Sequence, residues 1–458
     1  MKGMLKGLGG PLLSAVSLLV ASMAPIPAAK AADEVTIKVA YSSDFVPLSP
    51  EAGKAYWDQV VGQFEKENPG VKVQRITVPG SYADVENKLS LLFRSPGTAP
   101  DVVELSNQDM VQWVDSGYLA PLDKWLANEP SWQGMPANIK YETTVDGKVY
   151  GISHGENEMG LLYDKSLFAK AGIPVPWTPK TWGDVLEAAR KIKTTSPSAW
   201  PLWLPTGTAQ GASGAWNGPN SVLFGSSDPT IYNASAKKWV VDSKGLRETV
   251  GIYRTAAAEG LLAPSSQLLN ANAIATPPTE IPKHRIGITL AGNWFTLQWT
   301  KSVSSPFYGT AFSDIGVAPV PTVGGQSPGV ASSLGGWDMA IYSGSKQKEL
   351  AWKFIQVGQQ KKNMLMGALN NGWTPPVSSY ANSIEWLNVD PFQKSFQNWL
   401  PHATPIPVVA GYNTWAMGLV TATEAVVLNP KLSVDDAMKK MVTYVTNQTG
   451  PDEVEIRK

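Results

Sequence analysis

Residues 35–105 read VTIKVAYSSDFVPLSPEAGKAYWDQVVGQFEKENPGVKVQRITVPGSYADVENKLSLLFRSPGTAPDVVEL, and their hydrophobic period switches back and forth between that of a strand and that of a helix. Val35–Tyr41 alternates and is β-branched, which is the pattern of a strand. From Glu51 to Asn68, Trp57, Val60, Val61 and Phe64 share one helical face, and Asn68-Pro69-Gly70 ends the run because proline cannot continue a helix. Val71–Val78 forms a second strand, Tyr82–Phe93 a second helix, and Asp101–Leu105 a third strand behind Pro100. Strand and helix in strict alternation predict a doubly wound parallel sheet covered by helices.

Outward from this segment, Asp146-Gly147-Lys148-Val149-Tyr150 reads as a turn leading into short strands. Thr181 with Asp184 three residues later opens a helix whose buried stripe is Trp182, Val185, Leu186, Ala189 and Ile192. Residues 197–235, dense in Gly, Pro, Ser, Asn and Trp, read as irregular loops. Regular patterning returns at Leu246–Ala258, Ile286–Leu290 and Ile315–Val320. Val408–Leu428 is strongly apolar, but Asn413, Thr414, Thr421, Thr423 and Glu424 interrupt it, so it is read as an amphipathic or buried helix.

At the other end, Lys2 and Lys6 precede a short apolar run, Pro11–Met23, and Ala29-Lys30-Ala31 supplies small residues for cleavage. That layout predicts a secretory signal over 1–31 and a mature chain starting at Ala32. The run is shorter than the ~20 residues needed to span a bilayer. The 458-residue chain has no cysteine, so its stability has to come from core burial, and no lipobox thiol can anchor it. A soluble exported chain is kept near its cell by an outer membrane, so the periplasm is expected. Its 38 basic and 38 acidic residues balance, with no basic stripe for nucleic acid or anionic lipid. Tryptophan, at 18 residues, is abundant enough to serve both a core and a ligand site.

Several motifs then appear in order. They are Gly97-Thr98-Ala99-Pro100-Asp101-Val102-Val103, Ser116 to Asp123 (SGYLAPLD), Asp146 to Ile152 (DGKVYGI) and Gly160 to Lys165 (GLLYDK). Phe168, Ala171-Gly172-Ile173, Pro179 to Trp182 (PKTW), Gly292-Asn293-Trp294, Ile315 to Pro319 (IGVAP), Gly335-Gly336-Trp337 and Ala351 to Ile355 (AWKFI) follow. Together, across about residues 35–445, they resemble the family 1 extracellular solute-binding proteins, the group that contains maltose-binding protein. The resemblance implies a two-lobed α/β periplasmic binding protein fold of type II, with two doubly wound lobes joined by hinge strands. It places the lobe crossings near Asn157–Leu161 and Asp314–Val317. The first lobe would hold 32–157 and 315–372, and the second 158–314 and 373–458. It also implies a carbohydrate ligand between the lobes, ABC permease subunits as partners, no cofactor, and a monomer that closes on its guest.

A sugar offers flat C–H faces and rings of hydroxyls, so its site needs aromatic planes and fixed polar groups. Trp294 and Trp415 stand where stacking aromatics occur in maltose-binding relatives, and Gly336 and Trp337 fall in a Gly-Gly-Trp segment read as a turn open to ligand. Trp203, Trp216 and Trp373 lie in loop-like sequence, whereas Trp57, Trp113, Trp182 and Trp352 fall on helical stripes and are assigned to the core. Asp44, Ser106 and Asn107 follow the first and third strands, where open α/β sheets bind ligands, and Glu156 and Asn157 sit at the first crossing. Asn157 replaces a carboxylate of the maltose-binding relatives, which argues against maltose itself. None of these positions is an arginine, so a neutral sugar is favoured, with a polyol, a glycerol phosphate ester or a sulfonated sugar as the alternative cargo on the same fold.

Enzyme readings fare poorly. Gly325-Gln326-Ser327-Pro328-Gly329 matches G-x-S-x-G, but Pro328 has no N–H to give an oxyanion hole. His154, His284 and His402 show no metal-ligand spacing. A secreted glycosidase, which requires only two suitably placed carboxylates, is the rival from another class.

Overall fold

The computed structural model describes residues 34–44, 46, 48–300 and 308–457, and the expected signal lies outside them. The opening segment folds as its periodicity predicts. Strands β1 (Val35–Ser42), β2 (Val71–Val78) and β3 (Val102–Ser106) are parallel, with Val35 opposite Val71 and Val39 opposite Val102. Helix α1 (Pro50–Glu67) is started by Ser49, whose hydroxyl accepts from the Ala52 N–H at 3.1 Å, and by Pro50 in its first turn. Its buried stripe includes Tyr56, Trp57, Val60, Val61 and Phe64. Helix α2 (Tyr82–Phe93) opens on a reciprocal capping box between Ser81 and Asp84.

The next strand governs the architecture. β4 (Gly151–Asp164) is 14 residues long and buried throughout. Farther along the chain come α3 (Trp182–Thr195), β5 (Trp200–Trp203), α4 (Lys244–Ala258), β6 (Ile286–Gly292), β7 (Ile315–Ala318) and β8 (Leu334–Ile341). The main sheet runs β2-β1-β3-β8-β4-β6-β5, with β7 also on β4. β8 pairs antiparallel with β3 and with Gly151–Glu158 of β4. β6 pairs antiparallel with Met159–Tyr163 of the same strand. The sheet is therefore mixed, because β8 returns from far along the chain against the direction of its neighbours. Side-chain periodicity marks a strand and carries no record of its direction.

Two helical groups complete the cores. α5 (Lys348–Gln359) and α6 (Lys361–Asn371) join α1 around Trp57, Phe64, Phe354 and Met364. α7 (Tyr412–Leu428) and α8 (Val434–Thr449) join α3 and α4 around Trp182, Tyr253, Trp415 and Met441. Trp57, Trp113, Trp182 and Trp352 are all buried. Residues 315–372 divide between the halves: β7 lies on the far end of β4 because Ile315, Ala318 and Val320 pack there, while β8, α5 and α6 pack with the first half. Residues 197–235 are more ordered than their composition suggests. They contain β5 and short helices at Ser213–Trp216 and Pro219–Phe224, which the glycines and prolines punctuate without abolishing. Gly335-Gly336-Trp337 is likewise strand and not turn, with a shift of register between Trp337 and Asp338.

Phe64 lies edge-on to Phe354, 5.3 Å between ring centres, and both are fully buried. Phe64→Ala is expected to remove about 3–5 kcal/mol of unfolding free energy in urea titrations. A loss below about 1 kcal/mol would contradict this assignment of the core.

Candidate functional site

A cavity of about 370 Å³ opens between the two halves, within the usual range for small-molecule sites. On one wall stand Asp44, Val46 and Leu48 after β1, Tyr82 at the start of α2, Ser106 at the end of β3 and Gln108 just beyond it. These are the carboxyl ends of the parallel strands, where side chains and free backbone groups face outward from an open sheet. The opposite wall is formed by Trp216 and Asn217, by Ile274 and Pro278, and by Trp294 and Gln298 just beyond β6. Asn157 from β4, Gly335 to Trp337 from β8, and Trp373 form the floor.

The indoles are fixed by their surroundings. Trp216 donates its Nε1–H to the Leu334 carbonyl at 2.9 Å, and its ring lies 6.0 Å from that of Trp294 at an interplanar angle of 24°. Gly335 leaves room for Trp216, since a Cβ there would come 2.9 Å from Nε1. Gly372, in the left-handed region at φ 76°, lets the chain turn closely behind Trp294. Trp337 meets Tyr82 edge-on, 6.4 Å between ring centres. Trp294 keeps intermediate exposure and presents its surface to the cavity, whereas Trp373 is almost wholly enclosed.

The polar floor is a chain of hydrogen bonds. Asn157 Nδ2 donates to Asn293 Oδ1 at 2.9 Å and to the Gly372 carbonyl at 3.3 Å. Asn293 Nδ2 donates to Thr374 Oγ1 at 3.0 Å, and Thr374 donates to Glu158 Oε1 at 2.6 Å. Beneath this layer lie buried acids. Ser153 donates to Glu156 Oε1 at 2.5 Å, and burial pushes both Glu156 and Glu158 up to about 8. Burial raises Glu104 to about 8 as well, and its carboxyl lies 3.4 Å from Nε2 of His154, which burial lowers to about 3. At neutral pH the floor therefore presents neutral groups.

Of the residues singled out in the sequence, Asp44, Ser106, Asn157, Trp216, Trp294, Gly336, Trp337 and Trp373 come together around this cavity. Four others lie elsewhere. Trp203 is buried against Trp200 in a satellite core, and Trp415 is buried in the main core, donating Nε1–H to the Val240 carbonyl at 2.7 Å. Glu156 lies under Gly336, whose absent side chain would otherwise come 2.6 Å from Glu156 Oε2. Asn107 faces a neighbouring chamber. Sequence reasoning missed Tyr82, Gln108, Asn217 and Gln298. Tyr82 and Gln108 could have been found by extending the strand-end rule a few residues. Asn217 and Gln298 sit in irregular chain with no periodic signal.

Residues 49–364 match the family model described as bacterial extracellular solute-binding protein. The chain belongs to that family, as its motifs suggested. It is 24% identical over 425 residues to a binding protein of Brucella abortus (strain 2308), covering 92% of this chain and 96% of that one. A shorter stretch of 192 residues is 34% identical to the sn-glycerol-3-phosphate-binding periplasmic protein of Rhizobium meliloti (strain 1021), covering 39% of this chain and 42% of that one. The maltose-bound MalE3 structure of T. maritima superposes with a TM-score of 0.74 at 20% identity, covering 90% of this chain and all of that one. The fold is thus the two-lobed α/β fold of maltose-binding-protein-like proteins.

The buried acids give the protein a proton-linked stability. An unfolded histidine is half protonated at pH 6.5 whereas His154 is neutral in the fold, so His154 adds a small rise in stability that ends by about pH 8 and is outweighed by the three glutamates. Glu104, Glu156 and Glu158 keep protons in the fold that the unfolded chain, with ordinary glutamate values near 4.5, has released. Stability must therefore fall as pH rises from 6.5 through 8. Calorimetry is expected to show a lower Tm at pH 8.5 than at 6.5, with a shallower fall in Glu158→Gln. A Tm that rises over this interval would contradict the protonated floor.

Proposed function

We propose that this protein is the periplasmic receptor of an ABC importer, gripping a neutral sugar or oligosaccharide between its lobes and delivering it to the permease. One observation carries the reading. The cavity sets the indoles of Trp216, Trp294, Trp337 and Trp373 around hydrogen-bonding groups, and among its described lining residues Asp44 is the single charged side chain. Indole planes suit the C–H face of a pyranose, while Asp44, Ser106, Asn157 and Gln298 suit its hydroxyls. Gathering both walls from one chain supports action as a monomer. Lobe closure follows from the same arrangement, because a solute touching both walls favours the state in which they approach. We place the lobe passages where the pairing partners change, near Glu158–Met159 on β4 and near Ser333–Leu334 before β8. Export through a cleaved signal accords with the extracellular character of the family. No helix of the described residues is long and apolar enough to cross a membrane.

The relative that binds sn-glycerol 3-phosphate motivates a second reading, in which the cargo is a phosphate ester. A phosphate dianion calls for a cationic or forked guanidinium partner, and the described lining offers only the opposing charge of Asp44. Hydrolysis is disfavoured on similar grounds, because a glycosidase needs two carboxyl groups flanking the bond and a single one lines this cavity among the described residues.

Calorimetric titration of the mature protein with neutral mono- and oligosaccharides, polyols and sn-glycerol 3-phosphate decides between the cargoes. A neutral saccharide is expected to bind most tightly, and to be recovered intact. Preferential binding of the phosphate ester would overturn the reading. Trp294→Ala is expected to weaken saccharide binding at least tenfold, about 1.4 kcal/mol, with little change in Tm. Affinity within twofold of the parent protein would remove Trp294 from the site.

A further inference from the structure

The cavity wall that carries Trp216 is built from two stretches of chain, and neither contains a strand. Residues 205–217 bring Ser213, Trp216 and Asn217 to the cavity, and residues 268–279 bring Ile274, Ala275 and Pro278. One side chain joins them. Gln210 Nε2 donates to the Thr206 carbonyl at 2.6 Å and to the Leu268 carbonyl at 2.9 Å. The Gln210 backbone carbonyl accepts from the Ser213 hydroxyl at 2.6 Å, where the short helix Ser213–Trp216 begins. Among the described residues no other hydrogen bond links 205–217 to 268–279.

A primary amide suits this position because its two N–H bonds spread from one nitrogen and can serve two carbonyls. The reverse orientation would set the amide oxygen against both carbonyl oxygens, so the partners fix which way the group points. The backbones also meet closely here. Gly207 lies at φ 136°, and a Cβ on it would come 3.0 Å from Leu269 Cα and 3.1 Å from Gln210 Nε2. Behind the first stretch, Glu424 on α7 accepts from the Thr208 N–H at 2.5 Å, and the Thr206 and Thr423 hydroxyls meet at 2.6 Å. The first stretch thus has a firm backing on α7. The second is held at one end by Gln210 and near the other by Trp299, whose Nε1–H donates to the Pro278 carbonyl at 3.1 Å. Gln210 itself is not part of the cavity lining.

We propose that Gln210 is a positioning residue for ligand binding: by bridging Thr206 and Leu268 it fixes the spacing of the two stretches that form the wall opposite Asp44. The proposal rests on reading the indole cavity as the ligand site. Gln210 acts on the guest through Trp216 on one stretch and Ile274 and Pro278 on the other. A wall held in its bound spacing beforehand spares the guest the cost of ordering it, and that saving appears as affinity. Loss of the bridge frees the second stretch while leaving both lobe cores in place.

The test pairs two substitutions in the full mature chain. Gln210→Glu keeps the shape and removes both N–H groups, whereas Gln210→Lys keeps donors for the two carbonyls. In hydrogen exchange of the unliganded protein, amides of 268–279 are expected to exchange at least threefold faster in Gln210→Glu, with those of β6 and α3 unchanged. Calorimetry uses glucose, mannose, galactose, maltose, cellobiose and mannitol, and follows whichever binds the parent protein most tightly. That probe is expected to bind Gln210→Glu at least threefold more weakly, with a smaller loss in Gln210→Lys. Exchange or affinity that changes less than threefold in Gln210→Glu, or an equal loss of affinity in both variants, would overturn the assignment. Heat from none of the six probes would count against the sugar reading, and the exchange measurement would still decide whether Gln210 holds the wall.

Discussion

Each residue of the strand Gly151–Asp164 is buried, and its backbone must find hydrogen-bond partners inside the protein along its whole length. It does so by serving two neighbourhoods in succession, β8 along its first part and β6 and β7 along its second. Both cores are thereby tied to one continuous element, and the gap between them has a fixed floor. Glycine occupies two points where this strand meets bulky rings: a Cβ at Gly155 would come 2.2 Å from the Trp373 ring and one at Gly160 2.6 Å from Trp399. The placement of the indoles is thus partly encoded as missing side chains on the strand beneath them.

The same strand carries His154, Glu156 and Glu158, all fully buried, and its pairing with β8 shifts register opposite His154, between Trp337 and Asp338. Ionised side chains there would be heavily penalised by burial, and protonation of the acids together with deprotonation of the histidine avoids that cost. Hydrogen bonds from Ser153 and Thr374 then orient the carboxyls. The result is a polar floor that fixes Asn157 and Asn293 without imposing a field on the cavity. A floor of that kind suits a guest rich in hydroxyls and poor in charge.

Much of this was legible in the sequence, for identifiable reasons. The strand–helix alternation of 35–105 and the capping box at Thr181 and Asp184 are local signals, and local signals survive into the fold. The antiparallel return of β8 was not legible, because pairing direction is set by partners almost two hundred residues apart. Asp44 and Ser106 were found through a topological rule about strand ends, which needs no long-range contact. Trp203 and Trp415 show the limit of composition: an indole in Gly/Pro-rich or motif-flanking sequence can still serve packing, as the burial of both and the hydrogen bond from Trp415 to Val240 show. Gly335-Gly336 looked like a turn because paired glycines usually are one. Here they are a strand thinned to admit Trp216 above and Glu156 below.

The central claim is spatial: an uncharged, polyhydroxylated solute sits on the buried strand's floor, against Trp294 and between the two halves. A crystal structure of the protein saturated with its tightest-binding saccharide tests it most directly. The account predicts a sugar ring face-on to Trp294, with hydroxyls within hydrogen-bond distance of Asp44 or Asn157. Saccharide density at full occupancy elsewhere on the surface, with the indole cavity empty of it, would contradict the account.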